Sequence, residues 1–383
     1  MKLAEIYANN CGVKLPEKPV EPFQSYYPVL GEYISIHNGS GMESKNYDYF
    51  SEVIEILRKR LSGVKFVQIG THSEQLLPHC EDLRGKTNLY QGNYVVANSL
   101  VHIDNDSLWV HNAGALGSPS VSVYGSTLAE VCAPFYHHPK SVFINSHRNS
   151  LRATHSPKEF PKTINYITPE EIANGVLGIL GLPKSKQKTL HIGPNYQNPI
   201  IEVVPDHPLP NNLFINNIVN IRLDLGGSQE MLPHIAKDRK VSLITDRRLD
   251  LNPLRAIRPN LITMLYKVNE EVDIKFVEEV SQSGIDYTVV TENGDILDNL
   301  KFDLLSFNAP KKIVRPEMLE GDFSNSVVKS SKILCSGGKF YLSEWHLNAK
   351  LPLNSLGENL MQIPITKDET FWKDSNNYYI FIP

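Results

Sequence analysis

Hydrophobic and polar residues follow one another along this chain in two periods, one typical of buried strands and the other of amphipathic helices. The run Tyr33–His37 is short and apolar, which predicts a strand. Apolar residues at helical spacing predict an amphipathic helix over residues 44–61, which Gly63 ends. A second buried strand, residues 64–70, then runs into a glycine turn. The pattern therefore indicates a βαβ unit, the building block of a parallel sheet.

The same alternation continues beyond this first unit. NYVVANSLVHIDND (93–106) predicts a short helix followed by a strand, and SLWVHNAGALG (107–117) predicts a helix closed by a glycine. The next predicted strand is SVSVYGS (120–126). The helix of residues 168–181 begins with a threonine N-cap, a proline and two glutamates. Such βα units predict a doubly wound parallel sheet.

A polar and basic stretch, residues 183–188, separates this series from a second one and is the predicted linker. Residues 217–236 beyond it predict a strand, a glycine turn and a helix. The further predicted elements are three strands, at 241–249, 286–292 and 302–308, and one helix at 272–284. Residues 332–354 are aromatic and predicted to be irregular, and residues 377–383 form an apolar, strand-like tail.

We therefore predict an α/β protein with two Rossmann-like domains facing a cleft. An N-terminal arm over residues 1–30, proline-bearing from Pro16 to Pro28, precedes a first domain over 31–183 and a second α/β domain over 184–383. The 383 residues are enough for two cores, because single cores stop growing at about 250–300 residues.

Composition narrows the class of protein. Hydrophobic residues make up 41% and charged residues 21%, as in ordinary globular proteins, and the net charge of -4 argues against a general polyanion binder. The four cysteines are scattered and have no zinc-finger spacing, which favours a reducing compartment. The sequence has no signal-peptide pattern and no apolar window long enough to span a bilayer. We expect a cytoplasmic protein, with peripheral association at the inner membrane left open.

The residues from His102 to Thr127 carry the strongest chemical pattern. A predicted strand delivers Asp106 and Ser107 into a turn, and a helix with His111 on its first turns follows directly. Ligands of open α/β sheets bind outside the carboxyl ends of the strands, and a helix N-terminus there offers N–H groups to an anion. The pattern therefore suits a diphosphate, with the aspartate free to bind sugar hydroxyls.

This run resembles the signature of glycosyltransferase family 9, the heptosyltransferase-type enzymes of the GT-B fold. In that family an Asp-Ser/Thr-Gly turn precedes a histidine, a small-residue helix ending Leu-Gly-x-Pro, and a strand ending Phe-Gly-x-Thr. The matching positions are Asp106, Ser107, His111, Ala113, Ala115, Leu116, Gly117, Pro119, Gly125 and Thr127. Leu108 stands where the family has glycine, which changes how closely a phosphate can approach the backbone.

Four further segments match the family in the same order along the chain. They are residues 36–47, 82–89, 133–135 and 166–172. The first resembles a loop of small residues before Ser-Lys, and Lys45 falls on the lysine that contacts the donor's phosphates. The resemblance thus assigns the donor site to Asn38, Gly39, Ser40, Lys45, Asp106, Ser107, Leu108, His111, Gly125, Ser126 and Thr127.

The order of the two halves differs from the family. The nucleotide-sugar half comes second in family members and first here, which suggests a circularly permuted, GT-B-like enzyme. Residues 219–232 loosely resemble the opening of the acceptor half. Ser228 stands at the position of the family's catalytic aspartate, so Asp224 or Glu230 would have to act as the general base, and we name Asp224 together with Lys45 as the catalytic candidates.

The resemblance implies transfer of a sugar from a nucleoside-diphosphate sugar to a hydroxyl acceptor, a saccharide of the lipopolysaccharide type, without an obligatory metal or other cofactor. A modified DNA base is the second acceptor that we consider. Two basic clusters favour it, Arg148/Arg152/Lys158 and Lys184/Lys186/Lys188, whereas the negative net charge argues against strong DNA binding. A sugar-nucleotide epimerase or hydrolase, and a non-catalytic nucleotide-sugar-binding protein, are the alternatives of other classes.

Each candidate also has a purely structural interpretation. Asp106 could only cap the following helix, His111 could be a partly buried histidine, and Lys45 could be an ordinary solvated lysine. Asp224 could serve only to form its turn. Trp345 and His346 could stack on a sugar or base ring, although packing in the core is the simpler expectation.

Overall fold

The fold is taken from a computed structural model in which two compact units, Met1–Thr189 and Leu190–Ile382, account for the contacts of the chain. The structure describes residues 1–148, 151–159, 162–192, 200–215, 217–313, 323, 326–354, 360–362, 371 and 378–382. Among these residues, no helix has both the length and the apolar character needed to cross a bilayer.

The first unit is an alternation of strands and helices. Its helices are α1 (Leu3–Asn10), α2 (Phe50–Arg58), α3 (Leu89–Ala97), α4 (Leu108–Ala115), α5 (Ala129–Cys132) and α6 (Pro169–Ile179). Its strands are β1 (Tyr33–Ile36), β2 (Lys65–Gln68), β3 (Cys80–Asp82), β4 (His102–Asn105), β5 (Ser120–Tyr124) and β6 (Val142–Asn145), and β7 (Lys188–Ile192) lies at the boundary.

Six of these strands form one parallel sheet in the order β3-β2-β1-β4-β5-β6. Every residue of β1, β4 and β5 is buried, as expected for central strands covered on both faces. The strand order reverses between β1 and β4, so the predicted doubly wound sheet is confirmed for this unit.

Local signals place several helix ends where the sequence predicts them. Ser107 caps α4 by accepting a hydrogen bond from the backbone N–H of Trp109. Thr168 begins α6, and Glu171 completes a capping box by accepting from the backbone N–H of Thr168. These two predicted helix starts are confirmed.

The helix predicted over residues 44–61 is shorter than expected. Residues Glu43–Lys45 form a single 310 turn, and α2 begins only at Phe50. The intervening backbone is used elsewhere: Tyr47 N–H donates to Asn105 Oδ1 and Asp48 N–H donates to the side chain of Asn165, each at 3.1 Å. These tertiary bonds compete with the helical pattern and hold the turn apart from α2.

The second unit contains a longer parallel sheet. Its helices are α7 (Leu232–Ala236), α8 (Leu251–Ile257), α9 (Ile274–Gln282), α10 (Gly294–Asp303) and α11 (Glu344–Asn348). Its strands are β8 (Ile200–Val203), β9 (Ile218–Arg222), β10 (Lys240–Thr245), β11 (Leu261–Lys267), β12 (Tyr287–Thr291), β13 (Lys311–Lys312), β14 (Val327–Ser330), β15 (Lys332–Ser336), β16 (Lys339–Tyr341), β17 (Leu360–Gln362) and β18 (Tyr378–Ile382).

Eight strands lie in the order β13-β12-β11-β10-β9-β8-β15-β16, and all neighbours are parallel except the hairpin of β15 and β16. A separate four-stranded sheet has the order β17-β14-β18-β7, and β14 is antiparallel to both of its neighbours. The prediction of a second Rossmann-like, α/β unit is therefore confirmed, with an antiparallel edge added to it.

Two elements of the second unit differ from prediction. The strand expected over residues 302–308 is instead the end of α10 and a turn, because Leu300 and Leu304 are buried at helical spacing whereas Phe302 is 74% exposed. Residues 332–354 are not irregular: they form β15, β16 and α11, and Gly337 and Gly338 turn the hairpin with φ of 55° and 71°.

The ends of the second unit bear on two smaller predictions. The strand-like tail is confirmed over Tyr378–Ile382, and Asn377 and Pro383 lie outside the described residues. His346 is fully buried, and the Trp345 ring lies edge-on to Phe371 with the ring centroids 5.7 Å apart. This aromatic pair therefore packs in the core of its unit.

Candidate functional site

The strand order of the first unit's sheet reverses between β1 and β4, and the carboxyl edge at this point is where such folds bind ligands. Neighbouring strands β1 and β4 send the chain to opposite faces of the sheet there, and this leaves room for a ligand. Residues 37–41 follow β1, and residues 106–107 follow β4 and lead into the N-terminus of α4. Most of the predicted donor residues therefore lie at one edge of one sheet.

Three of the predicted residues are in direct contact. Lys45 Nζ lies 2.7 Å from Asp106 Oδ2, and Thr127 Oγ1 donates a hydrogen bond of 2.8 Å to the same oxygen. Asp106 is buried, and the Lys45 side chain is 18% exposed. The cluster joins the end of β4, the end of β5 and the turn before α2, and its lysine keeps a route to the surface.

The turn that carries Lys45 is anchored through its neighbour Ser44. Ser44 Oγ lies 2.9 Å from Ser126 Oγ and donates to Ser156 O at 2.5 Å, and its N–H donates to Pro157 O at 3.0 Å. A cavity of about 360 Å³ beside this turn is lined by Ser44 and by charged residues, Glu43, Lys158, Glu159 and Lys162. The position of Lys45 is thus set by the loop of residues 151–159 as well as by β5.

The turn after β5 has no room for a larger first residue. A Cβ added at Gly125 would overlap the backbone and side chain of Ile164. Arg148 Nε donates to Gly125 O at 2.8 Å, and its guanidinium also donates to Thr127 O. Arg148 is only 8% exposed, so the basic cluster proposed from the sequence loses this member: its charge is used to hold the turn.

The start of α4 separates the remaining residues of the signature. Ser107 Oγ donates to Asp104 Oδ2 at 2.5 Å while accepting from the backbone of Trp109. Leu108 is 57% exposed, and His111 is exposed one turn further along. Ser107 therefore joins the polar network of the strand ends, whereas the other two present their side chains to solvent.

The loop after β1 is held by polar contacts. Asn38 Nδ2 donates to Gln75 O, and Gln68 Nε2 donates to Asn38 Oδ1, both at 2.9 Å. Ser40 Oγ accepts from the backbone N–H of Met42 at 3.2 Å. A Cβ added at Gly39 would overlap the carboxyl group of Glu74. The small residues of this loop therefore allow the close approach of a carboxylate.

His37 is a site residue that the sequence reasoning missed. It is 6% exposed, and its Nδ1 lies 2.8 Å from Asp104 Oδ1 and 3.1 Å from Ser107 Oγ. Its Nε2 lies 3.4 Å from Glu74 Oε1. Burial opposes a charge on the ring, but the Asp104 and Glu74 carboxylates outweigh it and raise the pKa of His37 to about 9.

Asp104 is the fully buried partner in this network. Burial by itself would raise its pKa, but the charge on His37, the hydrogen bond from His37 and the nearby His102 ring lower the pKa of Asp104 to about 2. A sequence signal existed, because His37 and Asp104 each end a buried apolar run. Their pairing depends on the register of β1 and β4, in which Ile36 lies opposite Ile103.

Asp224, the predicted base, lies in the second unit at the end of β9. Its two oxygens accept from Arg222 Nε at 2.7 Å and from Arg222 Nη2 at 2.8 Å, and Lys267 Nζ lies 3.7 Å away. Ser228, at the family's aspartate position, accepts from the backbone N–H of Glu230 at 3.2 Å. Both carboxylate oxygens of Asp224 are therefore engaged by the guanidinium group, and the side chain is only 2% exposed.

No metal cluster is found in the part of the chain that the structure describes: no group of three or more His, Cys, Asp or Glu side chains there is arranged to hold an ion. Lys45 and His37 bring positive charge to the carboxyl edge of the first unit. That no metal is required stays a prediction.

The site lies within a segment that a family model recognises. Residues 16–164 match glycosyltransferase family 9 (heptosyltransferase). The predicted resemblance is confirmed for this segment, which contains every predicted donor residue from Asn38 to Thr127. The match does not extend to the second unit, so the exchanged order of the two halves stays a prediction. No curated protein matches the chain.

Solved structures similar to the chain include ADP-heptose LPS heptosyltransferase II of E. coli, at 19% identity and a TM-score of 0.33 over 46% of this chain and 50% of that one. The iron-containing dodecameric glycosyltransferase TibC of enterotoxigenic E. coli is 20% identical, with a TM-score of 0.36 over 44% and 51%. A family 9 glycosyl transferase of Veillonella parvula is 18% identical, with a TM-score of 0.33 over 46% and 50%. The chain thus spans about half the length of these structures.

Proposed function

We propose that this protein is a glycosyltransferase that moves a sugar from a nucleoside-diphosphate sugar to a hydroxyl acceptor, and that the first unit binds the donor. The observation that carries the proposal is the contact of Lys45 with Asp106 and of Asp106 with Thr127, at the carboxyl edge where the strand order reverses. This edge is the usual ligand crevice of the fold, and it lies in the segment that matches family 9.

The reaction would proceed by attack of the acceptor oxygen on the anomeric carbon. The new carbon–oxygen bond forms as the bond to the diphosphate breaks, and the acceptor proton passes to a base. Negative charge then builds on the leaving diphosphate. Lys45 and the backbone N–H groups at the start of α4 are the groups that would stabilise this charge, which is usually the largest electrostatic task of such a reaction.

Lys45 has a partner within the protein. Its ammonium group is paired with Asp106 at 2.7 Å. A bound diphosphate would compete for the lysine, which frees the aspartate to accept hydrogen bonds from the sugar hydroxyls. One ion pair thereby prepares both halves of the donor site.

We propose Asp224 as the base, on its place at the carboxyl end of β9 in the second unit. The bidentate contact with Arg222 orients its carboxylate. Glu230 is the alternative, since it is exposed on the next turn. The domain order, with the acceptor half second, belongs to the same proposal.

For the acceptor we propose a saccharide of the lipopolysaccharide type, supported by the heptosyltransferase description of the matching family. A modified DNA base is less favoured, because Arg148 of the basic cluster is buried and bonded to backbone carbonyls. We further propose that the reaction needs no metal, since Lys45 can neutralise the leaving group, and that the protein works in the cytoplasm or at the inner membrane surface.

The test is a thermal-shift screen against nucleoside diphosphates and their sugars. The wild-type protein is compared with Lys45→Ala and Asp106→Ala, and with Lys65→Ala as a matched control at the exposed start of β2. A ligand at 100 times its Kd stabilises by about 2.7 kcal/mol. We expect one nucleotide sugar to stabilise wild type and the control only, whereas the matching free nucleoside diphosphate loses its effect in Lys45→Ala alone. Binding that both site variants retain would overturn the donor site.

A non-catalytic nucleotide-sugar-binding protein is the second candidate, favoured by the engagement of both Asp224 oxygens with Arg222. Product analysis with the identified donor separates these functions. Sugar transfer to an added saccharide supports the glycosyltransferase. A changed or hydrolysed donor in the absence of acceptor indicates an epimerase or hydrolase, and an unchanged donor under all conditions indicates the binding protein.

A further inference from the structure

His37 lies where three loops of the first unit meet. It follows β1, its Nδ1 contacts Asp104 and Ser107 at the end of β4, and its Nε2 faces Glu74 in the loop after β2. The ring also lies 6.3 Å from the Trp109 ring of α4, in an edge-on arrangement. One buried side chain thus connects both sides of the crevice.

The two ring nitrogens require a specific protonation state. Nδ1 is 2.8 Å from one carboxylate oxygen, of Asp104, and Nε2 is 3.4 Å from another, of Glu74. A neutral imidazole has one N–H, so only the imidazolium donates toward both carboxylates. The raised pKa of His37, about 9, agrees with this geometry.

Glu74 is itself placed between two glycines. A Cβ at either Gly39 or Gly70 would overlap its carboxyl group, and the second of these glycines has a φ of 138°. Glu74 Oε1 also accepts from the backbone N–H and the hydroxyl of Thr71, each at 3.0 Å. Its carboxylate therefore fits against the two loops that follow β1 and β2, and His37 is the cation that holds it there.

We propose that protonated His37 is a positioning residue for the anionic part of the donor. It acts through Ser107 at the start of α4 and through Glu74 against the Gly39 loop, and it offsets carboxylate charge beside the place where a diphosphate would bind. This inference rests on the proposed donor site of the first unit. It concerns a residue that is not among the predicted donor residues, and it adds a pH dependence that Lys45 alone does not give.

The charged groups around His37 determine the sign of that dependence. Asp104 faces it from β4 and Glu74 from the loop after β2; His102 Nε2 lies 3.6 Å from Asp104, and Arg84 donates to the backbone carbonyl of Glu74. Loss of the proton from His37 leaves both carboxylates in place and makes the crevice more negative by one charge. Donor affinity should therefore fall as pH rises through about 9.

The experiment measures Kd for ADP, CDP, GDP and UDP between pH 7.5 and 10 for wild type, His37→Asn and Glu74→Gln. The matched control is His79→Asn, since His79 is exposed and paired with Glu55 outside the crevice. Titration of the nucleobase is common to the measurements on all four proteins, so its effect on Kd cancels in the comparison. The pKa of His37 is followed independently by NMR of the labelled histidine ring.

For wild type and the control we expect Kd to rise roughly tenfold across a step centred near pH 9, which corresponds to one lost charge-assisted hydrogen bond. His37→Asn should bind about tenfold more weakly at pH 7.5 and show no step. Glu74→Gln should move the midpoint to lower pH, because it removes one of the two carboxylates that favour the proton.

Three outcomes would overturn the inference. His37→Asn could bind like wild type with the same pH profile, or NMR could find a neutral His37 at pH 7.5. If His37→Asn does not fold, a pH midpoint of Kd in Glu74→Gln that equals the wild-type midpoint would overturn the inference instead. Absence of binding by wild type to every nucleotide is a different result, since it removes the donor site itself.

Discussion

Lys45 Nζ and Asp106 Oδ2 lie 2.7 Å apart, although one residue belongs to a 310 turn before α2 and the other follows β4. The pair brings together the residue expected to bind phosphate and the residue expected to bind sugar. The two roles are therefore coupled, and separating them experimentally is informative.

Asp106→Asn should change the affinity for a nucleoside diphosphate and the affinity for a nucleotide sugar in opposite directions. Loss of the carboxylate releases Lys45 for phosphate, so we expect a free nucleoside diphosphate to bind as well as in wild type or several-fold better. The nucleotide sugar should bind more weakly, by roughly tenfold, because a charge-assisted hydrogen bond to the sugar is lost. Calorimetric titration of both ligands measures the difference, and equal losses for both would contradict it.

Gly125→Ala should destabilise the first unit. The added methyl group would overlap Ile164, and forcing it into a packed site costs about 1–3 kcal/mol. The control is Gly178→Ala in α6, where a Cβ meets nothing within 4 Å and which we expect to be stabilising by up to about 1 kcal/mol. Urea unfolding measures both, and similar stability of the two variants would show that the turn can yield.

Asp224→Asn tests the base. We expect kcat to fall by about 10²–10⁴-fold with donor affinity unchanged, since the residue lies in the other unit. Arg222 would also lose a charged partner, so the unfolding free energy is measured alongside turnover. Glu230→Gln tests the alternative base in parallel. A fall in kcat for this variant with an active Asp224→Asn would move the base to Glu230.

Stability should depend on pH through His37. Its pKa is raised from the ordinary 6.5 to about 9 in the folded protein, so its contribution is complete below pH 6.5 and is lost as pH rises to about 9. The free energy of unfolding should fall by roughly 3 kcal/mol over this range, since each pKa unit corresponds to 1.36 kcal/mol. Urea unfolding at pH 6.5 and 9 should give this difference for wild type and a much smaller one for His37→Asn.

The opposite dependence is expected at acid pH from Asp104, whose folded pKa is about 2 against an ordinary 3.8. This contribution is present above pH 3.8 and is lost as pH falls through about 2. The same unfolding series extended to low pH would record it. The contributions of His37 and Asp104 are both at their full value between about pH 4 and 6.5.

The sequence predicted those features of the fold that depend on residues close together in the chain. Ser107 and Thr168 cap their helices because a hydroxyl near the helix start is sufficient for this. The start of α2 could not be predicted, because the backbone of Tyr47 bonds to Asn105, far along the chain. The hairpin of β15 and β16 was missed for a similar reason: its inner residues pair with β8 rather than following an obvious period.

The site residues also fall into two groups, those that the sequence predicted and those that it did not. Lys45, Asp106 and Thr127 were identified through a family resemblance, and they lie together in the structure. His37 and Asp104 could not be paired from the sequence, because their contact depends on the register between β1 and β4. The role of Arg148 was misjudged because exposure, which decides whether a basic residue can bind a polyanion, is a tertiary property.

The hydrogen bonds of Ser44 to Ser156 and Pro157 have a consequence for how such a donor site can diversify. The loop of residues 151–159 contains no predicted donor residue, yet its backbone carbonyls accept the hydrogen bonds that fix the turn carrying Lys45. Insertions or deletions in this loop would shift the lysine without altering any residue that touches the nucleotide. Variants with different preferences for the diphosphate can therefore arise from a surface loop, while the strand ends that form the crevice stay unchanged.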